Sequence, residues 1–454
     1  MPRPLRALAV LALACSPAAA EPPPFQAEWK FDTLQLKNGA TLQGLVLEEG
    51  PKGVRFRIVQ RKPGRPTVLG SLFVVPADVL RLTKLPDADR AALRAKLDDL
   101  DLTPQAEARR LEKIDLAPVD WPAKGVPGLR YESDHFTLVS NAPEEVVRRA
   151  AYRLENVYAA FARFLPPRVP GGGPTLIHVH GTFAGYQKAV PAGVALKNPA
   201  FYDPTADRIV CGTDLLKLGE DLAQFRAAAR ERLDGLAKEE AELVRLFGKT
   251  SELNRHLQPR REIRAGIEKA ARHNEEVFER ATRQVFQTLY HEAFHAYVGN
   301  FVFPTGKNEL PRWLNEGLAQ VFETAVFEAG ELRLGHADRL RLEKAQDALK
   351  KGELPPIADL LTAGPTVFVV RHDAERPAVD RVYVATWALA AFLMFDRRVL
   401  GTEALDEFVK AVNAKRDVRA AFETLTGRPL AETGRAFHEW LRGLNENGSM
   451  TGDQ

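Results

Sequence analysis

His291, Glu292 and His295, in the segment Leu289-Tyr290-His291-Glu292-Ala293-Phe294-His295, are the residues of this chain best suited to chemistry. On a helix the four-residue step between the histidines turns roughly 400°, leaving the two imidazoles about 40° apart and one turn above each other. Both can then reach one metal ion. Glu292 stands roughly 100° round from His291, outside the histidines' direction but near enough to hydrogen-bond a water held at such an ion. That is the position of a general base.

With ten histidines in 454 residues, a chance His-Glu-x-x-His arises at a rate on the order of a few per cent, so its surroundings must decide. The run VFQTLYHEAFHAYV, residues 285–298, carries no charge except Glu292. In a buried helix two histidines and a lone glutamate would be costly, and a metal accounts for all three. A catalytic zinc site has three protein ligands and an open fourth position. A third histidine in the pattern HExxHxxGxxH is excluded, because Val298 stands where the glycine would be and Phe301 where the histidine would be. Glu316 is the remaining candidate. PRWLNEGLAQVFE reads as an amphipathic helix entered through Pro311, with Trp313, Leu314, Leu318, Val321 and Phe322 as its apolar positions.

HEAFH followed by WLNEG resembles the gluzincin, or peptidase MA-like, superfamily of zinc metallopeptidases. Twenty residues, 296 to 315, separate His295 from Glu316, slightly more than in its aminopeptidase-like branch, and no GxMEN-type exopeptidase motif is visible. From about Tyr131 to Leu441 the chain is also similar to a bacterial secreted family of HExxH…WLNEG proteins: a strand like YESDHFTLVSNA, a helix, the two motifs, then a Tyr-x-x-x-Trp-Ala-Leu segment. The resemblance implies a zincin-like α+β fold and Zn2+ held by His291, His295 and Glu316, but no substrate; a protein or peptide is the substrate class expected of a peptidase. Zinc would bring water towards neutral pKa and polarise a carbonyl, with Glu292 taking and returning the proton. Tyr383, in RVYVATWALAAFL, is the candidate donor to the oxyanion, against the plainer reading of a core tyrosine with its hydroxyl at the surface. Asn315 and Trp313 read as packing residues or as supports that orient the ligands. Whether such an enzyme would be an endo- or an exopeptidase stays open, with endopeptidase favoured. The alternative is an inactive zinc-binding or protein-binding module on the same fold.

The elements that would position these residues follow from patterning. Residues 1–20 have Arg3 and Arg6, an apolar run from Ala7 to Cys15 and Ala18-Ala19-Ala20, which read as a secretory signal peptide too short to span a bilayer. Cys15 offers a second processing route, a lipid anchor. The expected location is secreted or periplasmic, with no transmembrane segment after cleavage. Cleavage would remove two arginines and no acid, taking the formal charge from +3 to +1, so nothing favours a nucleic-acid partner. Cys211 would then be the one cysteine, a buried strand residue unable to form an intramolecular disulfide.

Residues 28–85 alternate apolar and polar around Asn38-Gly39 and again around Gly50 to Gly53, predicting hairpins and a small SH3-like β-barrel. Residues 86–124 read as a helical linker ending in the proline-containing join APVDWPAKGVPG. The metallopeptidase-like domain is expected over 125–444, with a charged helical hairpin inserted at 214–284 and interrupted near Gly248 and Pro259. Helices are expected around 336–350, 380–395, 402–412 and 429–442, with disorder in 445–454. His178 and His180 alternate along one strand and so share a face; a packing pair is the favoured reading over a second metal site.

Overall fold

A computed structural model describes residues 29–61, 67–100, 104–121, 125–169, 173–191, 199–248, 250–324, 327–328, 331–332, 338–368, 376–445 and 450. The leader, Cys15 and all of the tail except Asn445 and Met450 lie outside the described residues; Met450 bridges Leu444. The fold is α+β.

Five strands open the chain: β1 (Asp32–Leu36), β2 (Thr41–Gly50), β3 (Gly53–Gln60), β4 (Val68–Val74) and β5 (Val79–Thr83), in the order β4-β3-β2-β1-β5. Both hairpins form where the glycines predict them. Gly39 turns at φ +90°, a left-handed value favouring glycine, while the Asn38 side chain accepts from the Ala40 N–H. Asp32, fully buried, accepts from the N–H groups of Val46 and Leu85 and from Arg90, tying β1, β2 and the chain after β5 together. The expected barrel does not close: the end strands β4 and β5 are not paired with each other among the described residues. The sheet is apolar on both faces instead. Leu34, Val46, Val54, Phe56 and Val74 cluster on one side, while Trp29, Leu45 and Val59 pack against Leu93 and Leu97 of α1 (Asp87–Asp99).

After α2 (Pro104–Glu112) the chain enters a second sheet earlier than its prolines imply. β6 (Ala117–Asp120) pairs with β7 (Pro127–Glu132), so the join read as linker is an edge strand, where Pro118 needs no ladder N–H. β8 (Phe136–Ser140), α3 (Glu144–Phe164), β9 (Thr175–His180), α4 (Phe183–Ala189), β10 (Ala200–Asp203) and β11 (Arg208–Gly212) complete the unit. The sheet order is β10-β11-β9-β8-β7-β6, parallel across β8, β9 and β11, with β10 antiparallel at one edge. Phe136, Leu138, Ile177, Val179, Ile209 and Cys211 join the main core with α3. Each such buried Leu, Ile or Phe contributes roughly 1.5–3 kcal/mol.

Two long helices follow, α5 (Leu215–Phe247) and α6 (Ser251–Tyr297). They meet at Gly248, where φ is +57°, and the Thr250 side chain caps α6 by accepting from the Leu253 N–H. Pro259 does not interrupt the second helix, contrary to expectation. The Arg260 guanidinium donates to the His256 carbonyl one turn back, giving a side-chain donor to the helix beside the proline. The second arm of the hairpin and the histidine-bearing segment are therefore one 47-residue helix. Arg149, 2% exposed, and Arg153 of α3 hold its middle through Glu275 and Glu279, joined by Arg226 of α5.

The C-terminal third is helical: α7 (Arg312–Glu323), α8 (Arg339–Lys351), α9 (Ile357–Leu361), α10 (Arg376–Ala391), α11 (Glu403–Asn413), α12 (Val418–Thr426) and α13 (Leu430–Gly443), with two-residue strands β12 (Phe327–Glu328) and β13 (Glu331–Leu332) after α7. Residues Ala378–Asp396 have the length and apolarity to cross a membrane, but 67% of their most apolar stretch is buried inside the fold, as in a core helix.

Candidate metal centre

The site is built where α6 crosses α7. Phe294, between Glu292 and His295 in sequence, is fully buried against Phe161 of α3 and Phe322 of α7, with ring centroids 5.3 Å and 5.2 Å away. Phe294 stands roughly 60° round the helix from His291 and roughly 100° from His295, so its packing on Phe322 fixes the rotation of α6 against α7. Pro311 starts α7, and Trp313, packed on Phe408 and Phe422, anchors its first turn. Glu316, one turn along, is brought under the histidines.

His291, His295 and Glu316 offer ligand atoms that all lie within 4.8 Å of one another. Nε2 of His291 is 3.4 Å from Oε2 of Glu316, and Nε2 of His295 is 3.6 Å from Oε1. The other ring nitrogens are held from behind: Nδ1 of His291 is 3.0 Å from Oε2 of Glu323, and Nδ1 of His295 is 3.0 Å from Oδ1 of Asn315. Oxygen acceptors at both Nδ1 atoms keep the hydrogen there in the neutral rings, so both Nε2 lone pairs face the carboxylate. Two partly buried imidazoles and one buried carboxylate, converging, are a donor set that fits a divalent transition metal.

The charges are strongly coupled. Burial would push the His291 imidazole down, but hydrogen bonds to Glu316 and Glu323 and the charge of Glu292 hold it up at about 10. Burial would raise Glu316, yet His291, His295 and Arg312 hold it down at about 2. His295 is depressed to about 4 by burial and by the charge of His291. Without a metal, a proton on His291 thus neutralises the carboxylates. Burial raises Glu292 to about 7, offset in part by His291 and by the Tyr202 N–H.

That N–H belongs to β10, the edge strand, and donates to Oε2 of Glu292 at 3.0 Å. The strand is pinned in turn. Asp207, in the turn after β10, accepts from the Tyr202 hydroxyl and from Nδ2 of Asn300, in the π-helical turn Val298–Val302 that ends α6. Tyr383 is half-buried on α10 and donates to the Phe368 carbonyl at 3.2 Å. Its hydroxyl is raised by burial first and then by Glu316, with Arg312, Glu292 and Glu323 also acting on it.

Residues 285–417 match a family described as "Protein of unknown function (DUF1570)". The matched stretch holds both motifs and Tyr383, and leaves out both large sheets and the helical hairpin of 214–284. No curated protein matches the chain, and no solved structure does.

His291, His295 and Glu316 converge, Trp313 packs away on Phe408 and Phe422, and Asn315 meets Nδ1 of His295. Glu323, Arg312, Arg341 and Tyr202 were not found that way. Glu323 and Arg312 carry a weak signal, lying seven residues after and four before Glu316 on one helix face. Arg341 donates to Oε1 of Glu323 at 2.8 Å from α8, a pairing with no local signature. His178 and His180 pack edge-on against Trp121, at 5.4 Å and 4.9 Å between centroids.

Proposed function

We propose that the chain is a zinc-dependent peptidase of gluzincin type, with the helical region and six-stranded sheet as a zincin-like domain and the N-terminal sheet as an SH3-like accessory module. The observation that carries this reading is Glu292, a partly buried carboxylate raised to about 7, next to His291 of a metal-fitting triad and held by a backbone N–H. A site that only held a metal needs no such group.

His291, His295 and Glu316 would hold zinc, which supplies Lewis acidity for carbonyl and water when bound. Glu292 has the proton affinity to take a proton near neutral pH and return it to a leaving amine. The Tyr202 N–H keeps one of its oxygens fixed and leaves the other free for that exchange. The Tyr383 hydroxyl, which donates to the Phe368 carbonyl here, would have to exchange that acceptor for a developing oxyanion to serve as its donor. Edge strand β10 runs beside Glu292, and an extended polypeptide can align on such an edge through its backbone. The residue pattern of the N-terminus supports export, with cleavage after Ala20 or lipidation at Cys15 as the routes.

The test is zinc content and peptide-library cleavage for the wild type, Glu292→Gln and His291→Ala. Wild type is expected to carry one zinc and cleave peptides. Glu292→Gln should keep the zinc and lose activity by about 10²–10⁴-fold, and His291→Ala should lose the metal. Zinc-loaded wild type that cleaves nothing beyond what Glu292→Gln cleaves would leave a metal-binding scaffold as the surviving reading.

A further inference from the structure

We infer that Arg312 recognises a substrate carboxylate beside the metal centre, so that the site prefers peptides with a free carboxylate near the scissile bond. This deepens the peptidase reading and rests on it. Arg312 is the first residue of α7, one turn before Glu316, and its Nη2 lies 2.6 Å from Oε1 of that ligand. The two side chains differ in exposure: 48% for Arg312 against 3% for Glu316. The guanidinium thus has one end in the site and the other in solvent. It lies near enough for its charge to act on Glu292, His295, Glu316 and Tyr383.

The charges give this position a purpose. Arg341 is matched by Glu323, as Arg312 is by Glu316. A metal dication draws on the same Glu316 carboxylate, so binding it weakens the hold of Glu316 on Arg312. Three carboxylates, Glu292, Glu316 and Glu323, then face two guanidiniums and a dication, leaving a net positive site. A guanidinium has five N–H donors in a planar fork that fits a carboxylate through two parallel bonds, and Glu316 engages one edge of it. An incoming carboxylate would restore neutrality at the half-exposed end. Its source is either a peptide C-terminus or an Asp or Glu side chain.

The test compares wild type, Arg312→Gln and Arg312→Lys on matched peptides, free acid against C-terminal amide and Glu against Gln at positions flanking the cleaved bond. Wild type is expected to favour the carboxylate member of one set by about 10- to 100-fold in kcat/KM, the range of a charge-assisted bond. Arg312→Gln should erase the preference and Arg312→Lys retain part of it; the set that responds identifies the source. Calorimetric binding of a tripeptide acid and its amide to zinc-loaded Glu292→Gln, with and without Arg312→Gln, reads the same preference without turnover. Zinc affinity of Arg312→Gln should be equal or higher, since a competing cation is gone. Equal losses on charged and neutral peptides, no acid preference in binding, or weakened zinc would each overturn the inference and leave Arg312 as a support for Glu316. Wild type that cleaves no peptide defeats the peptidase reading, and the binding comparison still decides the role of Arg312.

Discussion

Nδ1 of His291 lies 3.0 Å from Oε2 of Glu323, a carboxylate two helical turns beyond Glu316 on the same helix. One face of α7 therefore supplies both a candidate ligand, Glu316, and the carboxylate that holds the ring of another, His291. Arg341, bonded to Oε1 of Glu323 and to the Gln320 carbonyl, keeps that carboxylate in place. Replacing Glu323 with Ala is expected to lower zinc affinity by about 10- to 100-fold with the fold retained. Competition with a chromophoric chelator measures it; unchanged affinity would remove Glu323 from the site.

The glycine of WLNEG has a packing reason. A Cβ on Gly317 would meet the Thr386 carbonyl oxygen at 2.4 Å and the Ala390 Cβ at 2.8 Å, so α7 and α10 approach closely there. Gly317→Ala should cost about 1–3 kcal/mol and, by shifting Glu316, weaken zinc binding as well. Gly434→Ala in α13, where a Cβ meets nothing within 4 Å, is the control and should be neutral or stabilising. Urea melts of both variants, with and without zinc, compare the two. Equal stabilities would show that the helices have room to part.

His180 predicts an acid-sensitive contribution to stability. Burial, then the charges of His178 and Arg208, pushes its imidazole down to about 4, against 6.5 for the ordinary value. Between these values the unfolded chain binds more protons than the folded one, so stability falls as pH drops through this window. The loss assigned to His180 should be on the order of 1 kcal/mol between pH 7 and 4.5. Urea melts of wild type and His180→Phe at both values isolate it, since the other titrating groups are common to the pair. A stability difference independent of pH would refute the assignment.

Cys211 should be chemically silent. It is fully buried on β11, and burial pushes its thiol up to about 12, leaving almost no thiolate at neutral pH. Thiol titration with a colourimetric disulfide should give no reaction in the folded protein and one equivalent in denaturant, when the chain tested lacks residues 1–20. Rapid labelling of the native form would contradict this burial.

What could be read from the sequence was what helix geometry makes local. His291, Glu292 and His295 are related by one turn, and Glu316 was found through its own short motif. Glu323 and Arg312 share that helix, but charged residues at such spacings are usual on solvated faces, so only packing gives them a role. Tyr202 contributes a backbone N–H, which no side-chain pattern encodes. Pro259 misled because a proline ordinarily breaks a helix, whereas here α5 packs alongside and a side chain serves the backbone. The alternation over residues 28–85 specified five strands but not whether the outer two would meet, because closure depends on bends at bulges, between Gln35 and Leu36 and between Val46 and Glu48, that alternation does not specify. Pro118 similarly concealed an edge strand.

The continuity of α6 gives the molecule a mechanical property. At 1.5 Å per residue the helix is about 70 Å long, and Glu275 and Glu279, gripped by Arg149 and Arg153, act as its fulcrum. From there Ser251 is roughly 40 Å away and His291 roughly 20 Å. Were the rod stiff about that point, a 2 Å push on the far tip would reach the imidazoles as about 1 Å, enough to spoil the convergence of three ligand atoms. Load on such a rod would reach the candidate metal centre at half amplitude and twice the force.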